Sequence, residues 1–205
     1  MKILNCSIAS KILVLSSFSL VLVVLTALWT YHLSNEVHSL ARLAEEDGIS
    51  LTNTAHQMDK DVIQIQQYLT DISATRGLDN LNDGFDQAEK SYQSFLSGLS
   101  IFENQYKNNN DAERLAEINR IRQLFDAYYL SGKQMASAYI KYGPAEGNKS
   151  MTLFDEQAEI LSTTLTPFIE HHYGIMIREL KDVSAAVSLL MKGELVVFLL
   201  IGFSV

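Results

Sequence analysis

The sequence predicts an all-α protein, an antiparallel up-down four-helix bundle. Its long first and last helices continue as a coiled-coil stalk into two transmembrane helices. Three observations predict it. Apolar residues recur every three and four positions in four successive runs, the pattern of helices packed in a left-handed supercoil. Short polar segments rich in Gly, Asn and Asp separate the runs, and short connections make sequential helices antiparallel. Two strongly apolar stretches stand near the two ends, one from Ile12 to Leu33 and one beginning at Leu195.

Residues 1–11 carry Lys2 and Lys11, whereas Glu36, Arg42, Glu45, Glu46 and Asp47 follow the first apolar stretch. The positive-inside bias makes 1–11 a cytoplasmic N-terminus and 12–33 the first transmembrane helix. That stretch holds no Asp, Glu, Lys or Arg and as a helix spans ~30 Å of hydrocarbon. An uncleaved anchor fits better than a cleaved signal peptide, because the run is long and "TALWTYHLS" offers a poor small-x-small cleavage site. Cys6 is the single cysteine and precedes this run, so the outer part has no thiol for a disulfide or a cysteine metal site.

Residues 34–194 are expected to form an extracytoplasmic sensory domain. Its first seam reads Val37, Ala41, Ala44, Gly48, Leu51, Ala55, Met58, Val62, Ile65, Leu69, Ile72 and Arg76. Gly77 is expected to end that helix in a left-handed C-cap. The second seam is Phe85, Ala88, Tyr92, Phe95, Leu99, Phe102 and Tyr106, after which "KNNND" turns the chain. Asn110 or Asp111 can cap the third helix, whose seam is Ile118, Ile121, Phe125, Tyr128, Gly132, Met135, Tyr139 and Tyr142. "GPAEGNKS" then stops it, with Ser150 as a candidate cap for the fourth helix. The fourth seam is Met151, Phe154, Ala158, Leu161, Leu165, Phe168 and His172. Beyond His172 it changes register to Met176, Leu180, Val183, Val187 and Leu190, a stutter that unwinds a supercoil. Pro167 removes one helix hydrogen bond nearby.

Outside the membrane the first helix is ~65 Å long and the second only ~36 Å. The second and third helices therefore stop short of the membrane, leaving a two-stranded stalk of the first and fourth. Residues 195–205 begin a second transmembrane helix at about half the length of a span, as expected for the front part of a longer protein.

The formal net charge is −8, with the acidic excess between residues 34 and 182. Such a surface does not suit nucleic acid or an anionic membrane face, and still permits a small ligand at a local site. No phosphate-cradling glycine loop, His-Glu-x-x-His or Gly-x-Ser-x-Gly occurs, so the expectation is a binding protein and not an enzyme, with no cofactor. Most carboxylates fall on outward positions of the helices, where a solvated face is the default.

The segments "VIQIQQYLTDISATRGLDNLNDGFDQAEK" and "AYYLSGKQMASAYIKYGPAEGNKSMTLFDEQAEIL", with the span–bundle–span order, resemble the front of a bacterial methyl-accepting chemotaxis receptor. That resemblance implies a sensor in the inner (cytoplasmic) membrane with its bundle in the periplasm or outside the cell. It also implies a homodimer packed through the first helix, and a helix shift passed across the bilayer when a small ligand binds. Similar modules precede membrane histidine kinases and cyclases, so the output stays open.

Two candidate sites follow. Arg76 occupies a seam position at the end furthest from the membrane, with Thr75, Tyr139 and Tyr142 within reach; its guanidinium could receive a small carboxylate bidentately. The bland alternative is a packed stem whose head reaches water, Asp79 or Asp83, a cation offsetting the helix dipole. Alternatively His56, His171 and His172 lie at similar depth and could hold haem iron or a metal. Against this stands a histidine simply hydrogen-bonded where the packing loosens. A structural coiled-coil anchor without ligand is the third possibility for the chain.

Overall fold

A computed structural model describes residues 8–78 and 83–204. Expectations for Lys2, Cys6, Asp79 and Val205 lie outside the described residues. The protein is all-α, with no strand among the described residues. Helix α1 (Ile8–Leu43) passes through a π-helical turn (Ala44–Ile49) into α2 (Ser50–Thr75); α3 (Gly84–Asn108), α4 (Ala112–Tyr142) and α5 (Pro144–Ser204) follow. The chain divides into two compact units, Ile49–Gly174 and a second made of Met1–Gly48 with Ile175–Val205.

In the unit Ile49–Gly174, α2, α3, α4 and the first part of α5 share one hydrophobic core. The seam residues build it. Ala55, Met58, Ile65, Leu69 and Ile72 of α2 meet Phe95, Leu99 and Phe102 of α3, Ile118, Ile121, Phe125 and Tyr128 of α4, and Phe154, Leu161, Leu165 and Phe168 of α5. Each fully buried side chain of this size contributes roughly 1.5–3 kcal/mol before the entropy of ordering it. Gly132 is needed where α4 passes Leu69 and Phe154: a Cβ there would sit 2.7 Å from atoms of both. Tyr128 buries its ring and still donates its hydroxyl to the Val62 carbonyl at 2.9 Å.

The helix ends correct three expectations. Helix α2 stops at Arg76 itself, which takes the left-handed conformation (φ 55°) and donates its N–H to Ile72 O at 2.7 Å. Gly77 is left-handed as well (φ 63°). The buried seam therefore ends at Ile72, and Arg76 is exposed rather than aimed inward. Asp111 does cap α4, its carboxylate accepting from the Arg114 N–H at 3.0 Å. Ser150 caps nothing: Gly143 ends α4 at φ 79° and α5 starts at once on Pro144. A proline suits the first helical position because its φ is already helical and no N–H is needed there.

In the second unit, α1 is apolar and almost entirely exposed. Among the described residues one helix, Ile8–Thr75, is long and apolar enough to cross a membrane, with a mean hydropathy of 2.5 over its most apolar 18 residues. Three of its hydroxyls are bonded within the helix: Ser16 and Ser17 donate to the carbonyls of Ile12 and Leu13, and Thr26 to that of Val23. Such internal bonding is what a hydrocarbon surrounding demands. Trp29 packs against Gly193, where any Cβ would overlap its ring. Helix α5 continues without a break past Leu195 to Ser204. The π-helical turn interrupts a seam that the sequence continues, because the six residues "AEEDGI" carry no signal for it. There Gly48 admits the Glu179 carboxylate, whose Oε2 is buried without a hydrogen-bond partner. Burial, then the neighbouring Asp47, raises the Glu179 pKa.

Candidate ligand-binding groove

The polar residues of the core unit are not scattered. Along α2 the residue just before each core position is polar: Thr54, Gln57, Asp61, Gln64, Tyr68 and Asp71, spaced by three and four. Along α3 the same register gives Gly84, Gln87, Ser91, Ser94 and Gly98. A helix repeat of this kind places such residues at the edge of the seam, facing the neighbouring helix. The two edges meet, and between them run three cavities.

The middle cavity, about 290 Å³, is lined by Gln57, Asp61, Gln64 and Tyr68 from α2 and by Gln87, Lys90, Ser91 and Ser94 from α3. An end cavity of about 390 Å³ shares Tyr68 and Gln87 with it and adds Asp71, Thr75 and Asp83. On the other side a cavity of about 490 Å³ shares Gln57 and Ser94, and adds Met58, Gly98 and Ile101. Shared walls make these one groove along the α2–α3 seam.

Asp61 is the unusual residue of the groove. It is only 1% exposed. Its Oδ1 accepts from the Gln57 amide at 2.9 Å, whereas Oδ2 has no hydrogen-bond partner. Burial raises its pKa, opposed by the Ser94 hydroxyl, the Gln57 amide and the charge of Lys60. Beside it the Ser91 hydroxyl donates to Gln64 Oε1 at 3.3 Å. A buried carboxylate oxygen without a donor is costly, so its presence needs a reason.

Of the four residues expected to form a carboxylate site, Thr75 alone lines the groove. Its hydroxyl donates to Asp71 O at 3.1 Å and accepts from the Gly77 N–H at 3.3 Å. Arg76 is exposed, as is Tyr142, whose ring lies under Lys141 Nζ at 5.0 Å. Tyr139 is buried, donates to Asn148 Oδ1 and is covered by Gly147. Arg76, Tyr139 and Tyr142 line none of the three cavities.

The histidines are also dispersed in role. His172 is 3% exposed, between Phe102 and Phe168, with Nε2 2.7 Å from the Tyr106 hydroxyl and its carbonyl accepting from Thr52. Burial, then the charges of His171 and Arg114, lowers its pKa to about 4, so the ring is neutral at pH 7. His171 packs its ring nitrogens against Arg114 Nη2 at 3.0–3.2 Å. His56 is exposed. Among the described residues no three His, Cys, Asp or Glu side chains gather as a metal site would require.

Sequence reasoning missed Asp61 because it looked for functional groups on the seam and assigned the carboxylates to a solvated face. The signal was present one residue before each seam position. No protein-family model matches the chain, and no curated protein or solved structure matches it either.

Proposed function

We propose that this chain is the membrane-anchored sensory part of a chemotaxis-type receptor, a module that binds a small ligand and is not an enzyme. The observation that carries this is the α2–α3 groove around Asp61, a polar channel that holds a buried carboxylate oxygen without a hydrogen-bond partner. Helix α2, which forms one wall, is continuous with the apolar helix suited to a membrane. In this reading the helices form an up-down-up-down bundle on the periplasmic or extracellular side of the inner membrane. Two copies associate as a homodimer. A ligand entering between α2 and α3 shifts one helix against the other by about 1–2 Å, and the long helices pass that shift through the bilayer. A receptor, a histidine kinase or a cyclase could each use such an input.

Two experiments test the reading. The whole chain in lipid nanodiscs, melted against a library of small polar metabolites, should be stabilised by a chemically coherent subset. A ligand at a hundredfold excess over its Kd adds about 2.7 kcal/mol. Absence of any stabilising compound would return the chain to the structural-anchor interpretation. For topology, Asn109→Cys in a Cys6→Ser background should react with an impermeant thiol reagent in intact spheroplasts. Labelling only after lysis would place the core unit in the cytoplasm.

A further inference from the structure

The groove's chemistry narrows the ligand. We infer that Asp61 receives the ammonium head of a small organic cation, with a short alkyl part lying along the groove toward Met58 and Ile101. This rests on the sensory reading above and adds the ligand class.

The argument begins with what the middle cavity lacks. Its one buried charge is a carboxylate, and Oδ2 of that carboxylate accepts nothing. An anion brought here would meet that negative charge. A neutral hydroxyl or amide could donate once to Oδ2 but would leave its charge uncompensated. An ammonium supplies both the opposite charge and three donors on a compact head. Asp61 Oδ2 takes one donor, and the Ser94 hydroxyl oxygen and the Gln57 side-chain carbonyl line the same cavity for the others. Gln57 is exposed and holds Oδ1 by a single amide contact.

Inorganic cations fit less well. A hard divalent ion takes six to eight oxygen ligands, usually with several carboxylates, whereas Asp61 is the single carboxylate lining this cavity and Lys90, which also lines it, extends into solvent. The adjoining cavity favours an organic cation: it shares Gln57 and Ser94 and, among further polar residues, offers apolar surface at Met58 and Ile101. An alkyl chain lying against Met58 and Ile101 loses part of its contact with water.

Calorimetry on the whole chain in nanodiscs, at constant ionic strength, provides the test. The probes are n-propylammonium, ammonium, sodium, calcium and propionate ions. Propylammonium should bind more tightly than ammonium, and sodium, calcium and propionate should not compete with it. Asp61→Asn keeps the shape and removes the charge, and should weaken propylammonium at least about tenfold. Ile101→Ser, which removes apolar lining at a half-exposed position, should weaken propylammonium while leaving ammonium unchanged; circular dichroism and melting check that both variants are folded. Equal affinity in folded Asp61→Asn overturns the inference, as does competition by sodium or calcium, or binding of propionate alone. In the propionate case the sensory reading survives, because a small ligand still binds. If no probe binds, the ammonium assignment is wrong, and the metabolite screen decides separately whether the sensory reading falls with it.

Discussion

Asp61 and His172 are both polar side chains sealed inside one helical core, and they are treated in opposite ways. His172 is provided for within the core: its Nε2 meets the Tyr106 hydroxyl, two phenylalanines enclose it, and burial keeps it neutral. Asp61 has one oxygen bonded to a glutamine and one to nothing, in a wall that opens onto a groove. A polar group whose partners are all supplied by the chain is accounted for by packing. Asp61, left short of a partner beside a groove, points to something the chain does not itself contain.

The comparison can be broken from the His172 side first. Phe102→Ala removes one of the rings enclosing the histidine from a fully buried position, and should cost about 3–5 kcal/mol in chemical denaturation. A loss of well under half that would mean the core around His172 is looser than its packing indicates. Tyr106→Phe leaves the buried Nε2 without its partner at almost constant shape. It should cost about 1–3 kcal/mol; a neutral result would show that water or another group replaces the hydroxyl.

Titration separates the two residues by sign. For His172 the folded pKa is lowered from 6.5 to about 4. Between those values the unfolded chain binds the proton and the folded one does not, so this residue's contribution to stability falls as pH drops from about 6.5 toward 4. For Asp61 the folded pKa is raised. Its contribution is therefore fully present below the unfolded value of 3.8 and is lost as pH rises through the folded pKa. Denaturation curves of Tyr106→Phe, Asp61→Asn and wild type across this range should resolve the opposing slopes. Slopes of the same sign would remove the distinction.

Much of the core could be read in the sequence, because a seam of period 3.5 has only one way to be buried. Phe95, Phe125, Phe154 and Leu161, among others, are where the repeat places them. Arg76 shows where that logic stops. The heptad register continues through it, yet the helix does not, since a left-handed residue ends the spiral and turns the side chain to solvent. Periodicity carries no information on its own last repeat. The groove was legible only in part: the polar positions of α2 and α3 are visible in the sequence, but their facing one another depends on how the two helices are rotated. The π-helical turn and the close fit of Glu179 beside Gly48 are likewise tertiary facts.

The central claim is that Asp61 is kept for a ligand and not for the fold, and the stability of Asp61→Asn in the absence of ligand tests it most directly. The substitution preserves shape and removes a buried, half-satisfied charge, so at pH 7 the variant should be more stable than wild type by about 1 kcal/mol. That gain should vanish below the pKa of the wild-type carboxyl, where both side chains are neutral. A variant less stable than wild type at pH 7 would contradict the account, for Asp61 would then be holding the α2–α3 seam together.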